Sequence, residues 1–198
     1  QYQNLVLGDE NTDFVFGNIT SSEFFAISVD RARYKEKLFL ESLTLNISGS
    51  AGSLTLTDNS AYVTSVQFNE AGRVFQLISG SQGVKNTSIN ADGYTNTSGS
   101  YGWLLPDIGT ILLNPHALST TTGNGGAGFE YSGSISGSTP VTTSPMASLF
   151  QAISGSSSFR LNSEETITSD FIFVRPRSSE FNYSENPSFI SGSTGEVL

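Results

Sequence analysis

The chain contains no cysteine, and charged residues make up only 14% of it. The first absence excludes a disulfide-stabilised scaffold, a zinc site built on thiolates and a cysteine nucleophile. In addition, no apolar run approaches the roughly 18 residues that a membrane-spanning helix needs. We therefore expect a protein with no membrane partner and no site that depends on a cysteine thiol.

Basic residues are particularly few. The chain has 9 Lys and Arg against 18 Asp and Glu, which gives a net charge of −9 at pH 7. An acidic surface repels the phosphate backbone of DNA and RNA, and the affinity of most nucleic-acid-binding proteins depends on Lys and Arg contacts to that backbone. We therefore expect no nucleic-acid partner.

Uncharged polar residues and aromatic residues take the place of the missing charge. Ser, Thr, Gly and Asn favour turns and strand surfaces over helix interiors, and the 14 Phe and 7 Tyr suit the half-buried face of a sheet. This composition predicts one all-β domain over residues 1–198, with an antiparallel β-sandwich-like fold. Strand-like segments occur at 13–17, 23–30, 42–48, 53–58, 62–68 and 73–79. The alternation of Leu and polar residues in 53–57 predicts a strand with one solvent-facing side.

One helix interrupts the strand pattern, at about 145–154. Ser144 is a favourable N-cap, Pro145 suits the first helical position, and Gly155 can end the helix. Apolar residues recur at the spacing of one helix face, at Met146, Leu149, Phe150 and Ile153. A second helical turn is predicted over 114–118. The segment 119–143 has almost no apolar content and is predicted to be a long, exposed polar loop or arm that becomes ordered on a partner.

No catalytic constellation stands out. His116 is the only histidine, so a Ser-His-Asp triad would have to use it, and the G-x-S-x-G elbow is absent. Glu164 and Glu165 would point to opposite faces of a strand, which does not suit the facing carboxylates of a glycosidase. Segment 9–13 begins like a calcium loop but lacks the required glycine and closing glutamate. We predict a protein that is not an enzyme and has no cofactor and no metal site.

Basic residues are concentrated in RARYKEK, residues 31–37, which holds four of the 9 Lys and Arg. If the preceding strand continues through this segment, alternate positions share one face. One interpretation is a solvated edge whose charge discourages sheet-to-sheet association. The other is a docking stripe for an acidic neighbouring subunit. The interface candidates here are Arg31, Arg33, Lys35 and Lys37.

Further interface candidates come from two aromatic-rich segments. In YGWLLPDIG the single tryptophan adjoins an apolar strand, and it is either a core residue or an exposed interface anchor. In FIFVRPRSSEFNYSENPSF, residues 171–174 predict a buried strand, and Pro176 limits its further pairing. The rest of that segment predicts a corner anchored by aromatic side chains. The candidates from these segments are Trp103, Arg175, Arg177, Phe181 and Tyr183.

Three segments considered together suggest a family. They are VDRARYKEKLFLESLTLNISG with SLTLTDNS, YGWLLPDIGTILLNPHAL, and FIFVRPRSSEFNYSENPSF. This combination resembles virion structural proteins of contractile-tailed, myovirus-type phages of marine bacteria and cyanobacteria. The likeness runs from about residue 23 to the end of the chain. In such proteins a final β-rich stretch follows, and the chain also begins with Gln1 rather than Met. We therefore expect the sequence to belong to a longer or processed protein.

The resemblance implies a non-enzymatic structural role in the virion, which is assembled in the host cytoplasm. The expected station is the tail or baseplate, where the protein acts through contacts with other virion structural proteins, as a homo-oligomer or in many copies of a symmetric assembly. A neck or capsid decoration protein is one alternative. Another is a carbohydrate- or receptor-binding module of a fibre or adhesin, which would need an exposed aromatic platform at Trp103 or Tyr183.

Overall fold

The structure is a computed structural model that describes residues 2–17, 19–50, 52–86, 101–119, 126–128, 145–154, 159–175, 190–191 and 196–197. The chain divides into two compact units, Gln1–Thr166 and Ile167–Leu198. Strands predominate in the first unit, and its sheets are antiparallel. The prediction of an all-β, sandwich-like fold with a short helix is therefore confirmed.

The secondary-structure elements of the described residues are as follows. The helices are α1 (Tyr2–Leu7), α2 (Pro115–Ser119) and α3 (Pro145–Ser154), and 3₁₀ turns form at Arg31–Arg33 and Ser60–Tyr62. The strands of the first unit are β1 (Phe14–Phe16), β2 (Ile19–Ser21), β3 (Phe25–Ser28), β4 (Lys37–Leu38), β5 (Thr44–Gly49), β6 (Gly52–Asp58), β7 (Gln67–Asn69), β8 (Gly72–Ser81), β9 (Val84–Lys85), β10 (Gly102–Leu105), β11 (Thr110–Leu113), β12 (Phe159–Arg160) and β13 (Ser163–Glu164). The second unit contains an antiparallel pair, β14 (Ile190–Ser191) and β15 (Glu196–Val197). Helices α2 and α3 confirm the predicted helical segments, whereas α1 was not predicted.

Nine strands of the described residues form one antiparallel sheet. Their order is β12-β5-β6-β8-β10-β11-β3, and β7 and β9 also pair with β8. Strand β8 is the longest, at 10 residues, and it joins β6 to β10. Side chains from the two end strands, β3 and β12, lie beside the same helix α3. The sheet is therefore curled, and α3 lies between its two ends.

The central strands β10 and β11 are buried on both faces. In β10, Leu104 belongs to the larger core cluster, whereas Trp103 and Leu105 belong to a smaller cluster on the opposite face. Helix α1 and strand β1 cover this second face, through Val6 and Phe14 among others. Full burial of each such side chain contributes roughly 1.5–3 kcal/mol. This double coverage explains why the strands contain a continuous apolar run instead of alternating residues.

The prediction of a solvent-facing side on residues 53–57 of strand β6 holds for Ser53, which is exposed, and is wrong for Thr57. Thr57 is fully buried, and its Oγ1 accepts a hydrogen bond from the Gly83 N–H at 2.8 Å. Asp58 is also buried, and its carboxylate accepts a hydrogen bond from the Glu41 N–H at 3.0 Å. The turn after β8 supplies a donor to a residue that the sequence pattern would place in water, so alternation alone did not reveal the burial.

The prediction of an exposed arm over 119–143 is wrong for residues 126–128, which are the part of it beyond α2 that the structure describes. Ala127 is buried, and its N–H donates to the Leu118 carbonyl at 3.1 Å. The chain approaches β5 so closely there that a Cβ on Gly49 would lie 2.1 Å from the Ala127 oxygen. Small residues that suggest a loose loop also permit close backbone packing. Residues 120–125 and 129–143 lie outside the described residues.

The buried strand predicted at 171–174 is not formed. These residues have no regular secondary structure, and their side chains are between 80% and 95% exposed. An apolar run indicates a tendency to be buried, but burial requires a partner surface. In this structure the segment Phe171–Val174 is an exposed apolar segment of the second unit.

Candidate functional site

The basic segment 31–37 does not form the continuous strand face that was predicted. Arg31 and Arg33 lie in a 3₁₀ turn, in which the Asp30 side chain accepts a hydrogen bond from the Ala32 N–H at 2.9 Å. Only Lys37 belongs to a strand, β4. The Asp30 cap favours the turn over an extended conformation. The prediction that the four basic residues share one strand face is therefore wrong.

The two lysines of this segment are neutralised within the first unit. Lys35 forms an ion pair with Glu165, and Lys37 Nζ lies 3.2 Å from Glu164 Oε1. Strand β13 carries Glu164 directly opposite Lys37 of β4. Glu36 is also engaged, since its carboxylate accepts from the Thr166 backbone N–H at 3.1 Å, and this hydrogen bond lowers its pKa.

The two arginines differ from the lysines. The Arg31 guanidinium lies over the Tyr34 ring, 4.7 Å from its centroid, and donates to the Glu36 carbonyl at 2.8 Å. Arg33 is exposed and forms no ion pair with any residue that the structure describes. Docking through Arg31 and Arg33 stays a prediction, whereas the lysines already have carboxylate partners.

Trp103 is a core residue with an unusual feature. It is 8% exposed, and its ring meets those of Phe14 and Phe16 edge-on, with centroids 5.5 and 5.4 Å away. Its indole Nε1 is buried and has no hydrogen-bond partner in the described structure. Because a buried, unsatisfied donor costs about 1–3 kcal/mol, such a group calls for an explanation. The core interpretation of Trp103 is thus supported, and an exposed platform at this ring is not.

A pocket of about 500 Å³ opens beside Trp103. Strands β1, β7, β8 and β10 and the 3₁₀ turn at 60–62 contribute to it, together with nearby loop residues. Its lining combines amides and hydroxyls with aromatic and aliphatic side chains: Val15, Gly17, Asn59, Tyr62, Val63, Ser65, Gln67, Val74, Gln76 and Trp103. No charged side chain is among these described lining residues. The chemistry of the pocket is therefore that of neutral hydrogen bonding over a partly apolar wall.

Hydrogen bonds fix the inner wall of this pocket. Gln76 and Trp103 are cross-strand partners on β8 and β10. Gln76 Oε1 accepts from the Gly17 N–H at 3.2 Å, and its backbone N–H donates to Asn59 Oδ1 at 3.0 Å. The Tyr62 hydroxyl accepts from the Lys85 N–H at 3.0 Å. The Gln76 amide, the Asn59 amide and the Tyr62 hydroxyl are thus held in place by contacts within the protein.

A second concave surface is almost wholly apolar. It is a groove of about 350 Å³ beside α3, between the end strands of the sheet. Leu149 forms its buried base at 3% exposure, whereas Phe150 and Met146 stand at its rim at 72% and 55%. Of the face predicted for this helix, the structure therefore buries one part and leaves the other uncovered. Ser144 and Gly155, the predicted helix caps, lie outside the described residues.

One ion pair is part-buried. Arg73 Nη2 lies 2.6 Å from Asp107 Oδ1, and the Arg73 backbone N–H donates to Asp107 Oδ2 at 2.9 Å. Burial alone would raise the pKa of Asp107, but the two kinds of Arg73 hydrogen bond and the nearby positive charges outweigh it, so its pKa is lowered. The same pairing raises the pKa of Arg73. This pair links the start of β8 to the turn after β10.

The remaining candidates lie in the second unit. Arg175 is exposed, at the end of the described stretch 159–175. Arg177, Phe181 and Tyr183 lie outside the described residues, and so does the predicted aromatic corner. The interface roles of these four residues stay predictions.

Comparison with known proteins identifies no relative. No family model, no curated protein and no solved structure matches the chain. Among the described helices, none is both long enough and apolar enough to cross a membrane. The described residues also contain no group of three or more His, Asp or Glu placed to hold a metal ion.

The sequence did not point to the residues of the polar pocket, apart from Trp103. Gln67, Ser65 and Tyr62 come from a stretch that was predicted as a single strand over 62–68, whereas only 67–69 is a strand. Gln76 lies in a strand that was correctly predicted, but its position opposite Trp103 depends on strand register. A register between distant strands leaves no local sequence signal.

Proposed function

We propose that this protein is a non-enzymatic structural component of a phage particle, present in many copies and joined to neighbouring subunits through exposed apolar surface. The resemblance to virion structural proteins supports the class of protein. The observation that carries the assembly role is the exposed segment Phe171–Val174. The tail or baseplate is the proposed station, with the neck or the capsid surface as alternatives.

The exposed segment has the chemistry of a contact surface. Phe171 and Phe173 are 84% and 95% exposed, and Ile172 and Val174 are 85% and 80% exposed. Four consecutive large apolar side chains in water are unfavourable, and contiguous apolar surface commonly marks a site of protein association. All four residues are also β-branched or aromatic, which suits a strand that pairs with a neighbouring subunit.

The apolar groove of the first unit supports the same proposal independently. Its rim residues Met146 and Phe150, together with the half-exposed Phe159 of β12, leave apolar surface uncovered next to the end strands of the sheet. A neighbouring subunit that fills the groove would bury this apolar surface.

The test is incorporation into particles. Phages carrying Phe171→Ser with Phe173→Ser should contain markedly less of this protein than wild-type particles, as measured by quantitative mass spectrometry of purified virions. The matched control is Phe68→Ser with Val84→Ser, which removes two other side chains that are 71% and 66% exposed. We expect the control to be incorporated normally, and both proteins to show the wild-type unfolding temperature.

Two outcomes would overturn the proposal. One is absence of the protein from purified wild-type particles. The other is equal incorporation of the Phe171/Phe173 variant and the wild type, which would show that the segment makes no contact needed for assembly. Where the protein is present in wild-type particles, a cryo-EM reconstruction distinguishes a station at the tail or baseplate from one at the neck or capsid.

A further inference from the structure

We propose that the pocket beside Trp103 is a binding site for a neutral carbohydrate. The inference does not depend on the assembly role, because it rests on a different surface of the first unit. Its starting point is a buried hydrogen-bond donor without an acceptor, the indole N–H of Trp103, in a residue that lines the pocket.

One buried donor, the Trp103 indole N–H, lacks a protein acceptor, and the part-exposed Gln76 amide lies on the neighbouring strand. Gln76 Oε1 accepts from the Gly17 N–H, and this contact fixes the orientation of the amide. No described residue accepts from Gln76 Nε2. The Trp103 indole N–H, on the cross-strand neighbour, is also without a partner. Most buried polar groups have partners, so the Trp103 N–H is an exception. With the part-exposed Gln76 amide beside it, this donor favours an oxygen-rich ligand.

The outer part of the pocket adds groups that can both donate and accept. Gln67 and Ser65 line it and are exposed, so their amide and hydroxyl are accessible to a ligand. The Tyr62 hydroxyl already accepts from the Lys85 N–H, and its own proton is therefore available to donate. Each sugar hydroxyl donates one hydrogen bond and accepts others, as this mixed lining requires.

The charge and shape of the pocket narrow the ligand class. No charged side chain is among the described lining residues, so a buried phosphate, sulfate or carboxylate would have no charged partner in the wall itself. The Lys85 ammonium lies behind this lining, over the Tyr62 ring and 5.2 Å from its centroid. Val15 and Val74 provide apolar wall for the C–H face of a sugar. A volume of about 500 Å³ lies within the 300–1,000 Å³ typical of small-ligand sites.

The single tryptophan makes the test direct. Trp103 lines the pocket, so its fluorescence reports on binding there. We would titrate the full chain with methyl glucoside, methyl galactoside and N-acetylglucosamine, and use glucuronic acid as the charged comparator. Ligand-observed saturation-transfer NMR provides a second readout that is independent of the indole. We expect a saturable response to at least one of the neutral sugars.

A pair of amide substitutions locates the response. Gln67→Ala removes a pocket amide and should weaken binding about threefold to tenfold, the effect of losing one or two neutral hydrogen bonds. Gln151→Ala removes an exposed amide on α3, outside the described lining of the pocket, and should leave binding unchanged. Thermal unfolding of both variants checks that the fold is intact.

The proposal is overturned by any of three results. The first is the absence of a saturable response to every neutral sugar in both readouts. The second is an equal effect, or no effect, of the two amide substitutions, which would place binding elsewhere. The third is tighter binding of glucuronic acid than of the neutral sugars, which would contradict the neutral ligand class.

Discussion

At the scale of single residues, the Arg73–Asp107 pair makes stability depend on pH. The folded chain lowers the pKa of Asp107 below its ordinary value of 3.8. A depressed carboxyl pKa stabilises the folded state above the unfolded pKa, and that contribution is lost as the pH falls through the folded pKa. Asp107→Asn should therefore lower the free energy of unfolding by about 1 kcal/mol at pH 7, a value reduced for solvent screening because Asp107 is 34% exposed.

Urea unfolding of the wild type and Asp107→Asn at several pH values checks this expectation. The difference between the two proteins should be constant above about pH 5 and should shrink as the pH falls below 3.8. The exposed Asp13 offers a control, since Asp13→Asn should change stability by less than about 0.5 kcal/mol. A difference for Asp107→Asn that stays the same down to pH 2 would show that its charge is not involved.

Residue environments were the part that sequence predicted least well. The alternation in β6 correctly predicted that Leu54 and Leu56 face the core, but it wrongly placed Thr57 in water. Thr57 is buried and accepts a hydrogen bond from the Gly83 N–H, and this partner lies in a distant turn that the local pattern does not contain. Trp103 was predicted to be a core residue or an interface anchor, yet its missing hydrogen-bond partner depends on how β10 packs against β1. Such properties arise from tertiary contacts, which local patterns do not contain.

At the scale of secondary-structure elements, helix α3 has a buried side and an uncovered side. Leu149→Ala should lower the free energy of unfolding by about 2–5 kcal/mol, because it leaves a cavity beneath the helix. Phe150→Ser changes a neighbouring residue that is 72% exposed and should cost less than about 1 kcal/mol. Urea denaturation of the two variants measures the contrast. Equal destabilisation would mean that the helix packs through a different face.

The elements themselves followed from sequence where one face meets a core. The 3.6-residue period predicted α3 over its full length, and Asn114-Pro115 predicted α2. Two predictions failed for different reasons. The segment 31–37 was interpreted as a strand because it follows one, but the Asp30 cap favours a 3₁₀ turn over residues 31–33. The apolar run 171–174 resembles a buried strand, yet no described element covers it.

At the scale of the whole molecule, the net charge of −9 and the exposed apolar surfaces act in opposite directions. Like-charged copies repel one another, while the segment Phe171–Val174 and the groove beside α3 favour association. The Debye length falls from about 30 Å at 0.01 M salt to about 10 Å at 0.1 M. Screening removes the repulsion between copies and leaves apolar contacts largely unaffected. Self-association of the purified chain should therefore increase with NaCl concentration.

The sign of this salt effect separates two modes of assembly. Docking through Arg31 and Arg33 onto an acidic neighbour would weaken as the salt concentration rises, because salt screens the attraction. Association through apolar surface would strengthen, because salt screens the repulsion between copies, and it would strengthen further in sulfate. Sedimentation velocity over a range of NaCl concentrations distinguishes them. Phe171→Ser with Phe173→Ser should reduce the rise, since only the groove beside α3 then remains, and Phe68→Ser with Val84→Ser should preserve it. Association that weakens steadily with salt in the wild type would instead identify the arginines of the 3₁₀ turn as the principal contact.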